Sequence, residues 1–217
     1  MQSSTLTFLS QLGENNNKVW FEANKAAYEA AKADFEQAVT AILTGLSVFE
    51  PAFKEQKAKD CIFRIYRDVR FAKDKSPYKA NFGAFFNKDG RKSPGAGYYV
   101  HLEPGKSFAG GGLWMPESNI LKMVRQEIDY NLNEFKAIVE DKSFKAIFGE
   151  LEGERLKSVP KDYPADHAAG EYLKLKSYVV MHQMKDKEIA TGNFTDKCME
   201  VFTAMQSFIH FLNRANS

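Results

Sequence analysis

The sequence predicts an α+β fold, with a central antiparallel sheet flanked by N-terminal and C-terminal helices. Apolar residues recur every three or four positions from Ser3 to Thr44, alternate with polar ones between Cys61 and Glu103, and return to helical spacing after Pro116. Strands joined by connections this short pair antiparallel most simply.

In chain order, Ser3 or Ser4 caps a first helix whose Leu6, Leu9 and Leu12 share one face, and Gly13 ends it. Asn17 caps a second helix running to about Thr44. Its Trp20, Tyr28, Ala31, Phe35, Ala38 and Ile42 form a one-sided stripe suited to packing on the domain's own sheet. Cys61 to Phe71 reads as a strand, with Phe63, Ile65, Val69 and Phe71 buried and Arg64, Tyr66, Asp68 and Arg70 on the polar face. Arg67 falls on the apolar side, so either a bulge re-aims it or it is buried against an acidic partner.

Asp74-Lys75-Ser76-Pro77 is turn chemistry, Phe82 to Phe86 a short strand, and Lys88-Asp89-Gly90 a hairpin turn. Gly97 to Leu102 alternates again, with Tyr98, Val100 and Leu102 opposite Tyr99, His101 and Glu103. Gly110-Gly111-Gly112 reads as a bend beside a core Trp114, the alternative being a stretch where backbone approaches a ligand. Pro116 opens a helix with Ile120, Val124 and Ile128 on one side, and a further helix covers Asn133 to Phe148. Tyr172 to Met181 alternates as a last strand. Thr195 caps a closing helix with Cys198, Val201, Phe202, Met205, Phe208, Ile209 and Leu212 on a broad apolar face.

A chain of 217 residues, 44% hydrophobic and 27% charged, is long enough for a sizeable core, and without repeats or linkers it is expected to form a single domain, 1–217. No basic and apolar leader opens it and no apolar run approaches the ~20 residues that span a bilayer, so a cytoplasmic protein with no membrane partner is expected. Cys61 and Cys198 sit in apolar patterns and read as buried thiols of a reducing compartment.

The net charge of +2 is unevenly spread. Residues 54–92 hold twelve Lys/Arg against five Asp/Glu, while the rest of the chain is net negative. One basic segment in a nearly neutral chain points to a local anion site more than to a general polyanion surface, which ranks nucleic acid behind a small anionic ligand. The densest part is RIYRDVRFAKDKSPYK, residues 64–79.

Arginine presents a planar fork of donors that suits phosphate or carboxylate. Arg64, Arg67 and Arg70 are therefore candidate ligand-binding residues, with Lys75, Tyr78 and Lys79 following the turn and Trp114 as a wall. Asp68 is a candidate base or orienter, and His101, beside Glu103, a candidate acid–base group. The same residues could form a salt-bridged sheet face with no ligand, or a non-enzymatic module docking an acidic protein segment or nucleic acid. The four histidines are scattered without ligand spacing, so no metal site is expected. No Walker loop, dinucleotide fingerprint or nucleophile elbow names a cofactor or reaction.

Several stretches, FLSQLGENNNKVWFEANKAAY, RIYRDVRFAKDKSPYKANFGAFF, GYYVHLEPGKSFAGGGLWMP, LKSVPKDYPADH and YLKLKSY, resemble an uncharacterised family of conserved hypothetical proteins, Domain of Unknown Function 2461. The resemblance covers nearly the whole chain. It implies a single domain in a bacterial cytosolic setting and carries over no activity, substrate, cofactor or site residue.

Overall fold

The computed structural model describes residues 1–215. Its helices are α1 (Ser3–Glu14), α2 (Lys18–Ala23), α3 (Lys25–Phe49), α4 (Ala58–Cys61), α5 (Ser118–Tyr130), α6 (Leu132–Val139), α7 (Lys142–Phe148), α8 (Gly170–Leu173), α9 (Asp186–Glu188), α10 (Phe194–Ala204) and α11 (Gln206–Arg214). The strands β1 (Phe82–Phe86), β2 (Gly97–Leu102), β3 (Phe108–Leu113) and β4 (Tyr178–Gln183) form one antiparallel sheet in the order β1-β2-β3-β4. Helices flank this sheet, and the fold is α+β.

The chain divides into two compact units. The first comprises Met1–Arg91, Tyr99–Ala109 and Gln183–Glu200, the second Lys92–Tyr98, Gly110–His182 and Val201–Ser217.

In the first unit, Leu9 and Leu12 of α1 are buried, as are Phe35, Val39, Ile42 and Leu46 of α3. Asn17 caps α2 by accepting from the Trp20 amide at 3.0 Å. The long second helix is interrupted, because Asn24 leaves helical geometry (φ −109°, ψ 21°) and its side-chain amide donates to Trp20 O at 2.9 Å. The break rotates the stripe, so Phe21 is fully buried while Trp20 is only partly so.

The strand expected over Cys61–Phe71 does not form. Cys61 ends α4, and beyond it only isolated antiparallel bridges remain, Ile62 to Ala84 and Tyr66 to Tyr78. The reason lies in the side chains that follow. Asp68 accepts from the Arg70 amide, Asp74 from the Ser76 amide, and Lys75 Nζ donates to Val69 O, so the segment closes on itself and does not extend a ladder. Phe71, expected on the buried face, is 96% exposed.

In the second unit, the three glycines lie inside β3 and do not make a bend. A Cβ on Gly110 would meet Val180 O at 2.2 Å, and one on Gly112 would meet Tyr178 O at 2.1 Å. The glycines therefore admit neighbouring strand backbone, and Gly112 also holds a φ of +119°. Trp114, just past the strand, is 68% exposed and not a core residue.

The helix expected over Asn133–Phe148 is split by Asp141, which leaves the helix and caps α7 by accepting from the Ser143 and Phe144 amides. The last strand begins at Tyr178 and not at Tyr172. Gly170–Leu173 is a helical turn, and Leu175 pairs only through an isolated bridge to Arg155. The closing helix is likewise two, with Met205 (φ −98°, ψ 3°) between them. Cys198, Val201, Phe202, Met205, Phe208, Ile209 and Leu212 are all buried.

Candidate functional site

The basic segment is positioned from the N-terminus. Asn16 donates its side-chain amide to Tyr78 O at 2.9 Å and accepts from the Tyr78 amide at 3.1 Å, a two-point clamp across 62 residues. The Tyr78 ring stacks on Phe21 with centroids 4.0 Å apart and planes within 12°, and only 4% of the residue is exposed. Burial, with lesser contributions from Tyr66 and Glu22, raises its phenol pKa. Tyr78 thus fixes backbone, and its neighbour Lys79 faces the other way. Three further bonds set the register, from Lys79 N to Ile65 O, Arg67 N to Pro77 O and Phe63 N to Gly83 O.

That register opens a groove of about 540 Å³ in the first unit. Arg64, Lys79 and Arg91 line it together with Lys59 and Lys32, and Glu36 is the one carboxylate in the lining. Two of the cations gather on Phe63. Arg91 lies over its ring at 4.9 Å and Lys79 at 5.6 Å, and Arg91 also donates to Ile62 O at 3.1 Å. Arg64 and Lys79 have no carboxylate partner within ion-pair distance among the described residues. Burial first, then the charges of Arg64 and Arg91, pull the Lys79 pKa below its ordinary value.

The other expected anion forks are engaged elsewhere. Arg70 pairs with Asp68 through two bonds, Nε to Oδ1 at 3.0 Å and Nη2 to Oδ2 at 2.7 Å. The Arg70 bonds hold the Asp68 carboxyl below the usual carboxylate range. Of the two alternatives that the sequence left for Arg67, the structure gives the acidic partner: the partly buried side chain pairs with Asp74 and donates to Ser76 O at 3.1 Å. Bonds from Ser76 and then Arg67 bring the Asp74 pKa down to about 2. Lys75 is spent on Val69 O. Trp114 belongs to the second unit and does not line the groove.

His101 lies on β2 within a hydrogen-bonded row. Its Nδ1 is 3.1 Å from the Tyr99 hydroxyl and its Nε2 2.9 Å from Glu103 Oε2, while Lys106 donates to Glu103 Oε1 at 3.0 Å. Burial raises the Glu103 pKa, but the His101 and Lys106 bonds outweigh it and hold the carboxyl below its ordinary value. An ionised Glu103 is an acceptor only, so Nε2–H donates to it, and in the neutral ring with that tautomer Nδ1 accepts from the Tyr99 hydroxyl. Both ring nitrogens are therefore occupied within this row. Tyr99 ends the row with its ring edge toward Phe63, centroids 6.2 Å apart, and burial pushes its phenol up to about 12.

Arg91, Lys59, Lys32 and Glu36 escaped the sequence reading. Arg91 belongs to the basic segment 54–92, but it sits past a turn, and only the pairing of Ile62 with Ala84 brings it to Phe63. Among the described residues no three His, Cys, Asp or Glu side chains gather as a metal site, and no helix is long and apolar enough to cross a membrane.

Fold and site together define an α+β protein that carries a basic groove with aromatic walls. The chain belongs to the family described as conserved hypothetical protein (DUF2461), whose model matches residues 4–211. No curated protein and no solved structure matches it.

Proposed function

We propose that the chain binds a small phosphorylated or carboxylated ligand in the groove of its first unit, with Arg64, Lys79 and Arg91 as the anion-holding groups. One observation carries this reading: five cations line one hollow, and Arg64, Lys79 and Arg91 among them have no carboxylate within ion-pair distance among the described residues, although the same chain pairs Arg67, Arg70 and Arg214 closely with acids. Holding like charges together opposes folding, and an arriving anion relieves that cost. The guanidinium groups supply forked donors and Lys79 a point charge. The buried thiols Cys61 and Cys198 support a reducing, cytoplasmic setting.

The test is calorimetric titration with inorganic phosphate and with citrate at low salt. Wild type and Arg70→Ala bind with equal affinity, because Arg70 is committed to Asp68, whereas Arg64→Ala binds at least tenfold more weakly at unchanged thermal stability. Absence of phosphate and citrate binding at millimolar concentration defeats the proposal, and so does loss of binding in Arg70→Ala with retention in Arg64→Ala.

A further inference from the structure

We infer that the anion this groove takes is carried on a planar nitrogenous ring, making its ligand a nucleoside monophosphate. The inference rests on the anion-binding reading above and extends it from the charged end of the ligand to its body.

About 540 Å³ falls in the range of sites for organic ligands, roughly 300–1,000 Å³. A lone oxyanion held at Arg64, Lys79 and Arg91 leaves most of that space, including the apolar surface of Ile62 and Phe82, without a partner.

The wall of the groove is aromatic. Tyr28, Lys32, Phe35 and Glu36 line the groove from α3 at the spacing of one helix face. Tyr66 faces it from the basic segment, 50% exposed, its ring centroid 5.5 Å from Tyr78 and 6.2 Å from Phe21. A half-open ring backed by other rings is a stacking platform for a flat π-system. Burial first, then the charges of Glu29 and Tyr66, raise the Tyr28 pKa and keep its hydroxyl protonated as a donor. Neither hydroxyl has a hydrogen-bond partner among the described residues, so both are available to a ligand's hydroxyls or ring nitrogens.

Glu36 is partly buried, and its carboxylate has no ion-pair partner among the described residues. Lys32, one turn earlier, is 3.8 Å from Glu29 instead. A carboxylate beside a phosphate is repelled by it, and a donor elsewhere on the same ligand turns that repulsion into a contact. An exocyclic amino group or a ring N–H of a nucleobase supplies one. A sugar phosphate lacks the flat ring, and an aryl phosphate without nitrogen lacks the N–H donor.

The deciding experiment is equilibrium titration of the full chain at low salt with AMP, ribose 5-phosphate, adenosine and inorganic phosphate. AMP is expected to bind about tenfold or more tighter than ribose 5-phosphate, and adenosine more weakly than AMP. Glu36→Gln is expected to weaken AMP, while ribose 5-phosphate, freed of the carboxylate's repulsion, binds as tightly as to wild type or more tightly. Tyr66→Leu is expected to reduce the preference for AMP in the same way, with unchanged melting temperatures showing that both variants fold. Equal affinity for AMP and ribose 5-phosphate overturns the inference while leaving anion binding intact. Failure of all three phosphates to bind overturns the inference and the reading beneath it together. A single-stranded oligonucleotide that binds where AMP does not makes the groove part of a nucleic-acid track, and overturns the inference also.

Discussion

Replacing Lys79 with methionine keeps most of the apolar stem and removes only the charge, so it separates a ligand site from a structural network. In the unliganded protein two contributions change and oppose each other. The cation–π contact with Phe63 is lost, worth about 0.5–1 kcal/mol at a partly exposed site. Repulsion from Arg64 and Arg91 is relieved by an amount on the same scale, as solvent screening keeps such pair interactions within ~1 kcal/mol. Stability should therefore stay within about 0.5 kcal/mol of wild type, the usual range of a neutral surface change. Anion binding should not be spared. A charge-assisted hydrogen bond is worth about 1.5–3 kcal/mol, so phosphate affinity should fall roughly 10- to 150-fold.

The pH dependence follows from the sign of the Lys79 shift. Its folded pKa lies below the ordinary 10.5, so in the interval between the two values the unfolded chain binds more protons. Wild-type stability gains with rising pH there, while phosphate affinity falls as Lys79 loses its proton. The methionine variant should show neither effect. Urea unfolding and calorimetric titration, each run from pH 7 to 11, measure both quantities. A variant that loses more than about 2 kcal/mol of stability and keeps wild-type phosphate affinity would refute the reasoning, because Lys79 would then be a structural cation.

Three further outcomes follow from geometry. Gly112→Ala forces a Cβ to within 2.1 Å of Tyr178 O at a φ of +119°; overpacking and backbone strain together cost on the order of 3 kcal/mol or more, which lowers the melting temperature by roughly 6–12 °C, and a variant melting within a degree of wild type contradicts the close approach of β3 and β4. Burial pushes the Cys61 thiol up to about 11 and raises that of Cys198 as well, so a disulfide reagent at pH 8 should label neither in the native protein and both in urea; rapid labelling of native protein argues against that burial. Because its folded pKa is depressed, Asp74 stabilises the 67–76 turn above its unfolded value of 3.8 and loses that contribution as pH falls toward about 2, and a carboxyl titration by NMR with a midpoint at 3.8 would show that the Arg67 and Ser76 bonds are not formed.

Much of the fold was legible where period and burial agree. Phe82–Phe86 and Gly97–Leu102 are strands with the predicted bounds, and Tyr98, Val100 and Leu102 are buried as their alternation requires. The alternation of Cys61–Phe71 looked just as regular, yet a period of two only states which residues would share a face if the backbone extends. It does not extend past Arg67, because Asp68 and Asp74 offer the backbone amides nearer partners than a neighbouring strand does. The glycine triplet misled for a related reason. Sequence shows that a Cβ is absent, and only the pairing of β3 with β4 shows that strand backbone occupies the space.

The candidate site divides along the same line. Arg64 and Lys79 could be named from composition, but which cations stay unpaired depends on where each carboxylate can reach. Asp68 closes on Arg70 two residues away once the segment turns, and Asp74 reaches back seven residues to Arg67. Arg64 precedes that turn, Lys79 follows it, and the bonds joining Ile65 to Lys79 and Phe63 to Gly83 hold both beside the groove and beyond ion-pair distance of those acids, although the Arg64 charge still helps lower the Asp68 pKa. The same register admits Arg91, which no spacing in the sequence connects to Phe63.

This geometry sets the groove apart from a charge network, as the proposed anion site requires. Arg214 shows how the chain builds a network: Glu127 at 2.7 Å and Glu134 at 2.8 Å take up its donors, and the Glu134 bond, then the Glu127 bond, raise its pKa. Stability alone would favour that treatment of every arginine near a hollow, since a paired cation is held more favourably than a repelled one. Around Phe63 the opposite arrangement stands. Lys79 is partly desolvated, pressed by two like charges, and its pKa falls as that of Arg214 rises. An anion is the species that reverses the sign of that shift. A lysine pKa that rises on adding phosphate, followed at the Lys79 side chain by NMR, would therefore report occupancy of the groove directly and without reference to any reaction.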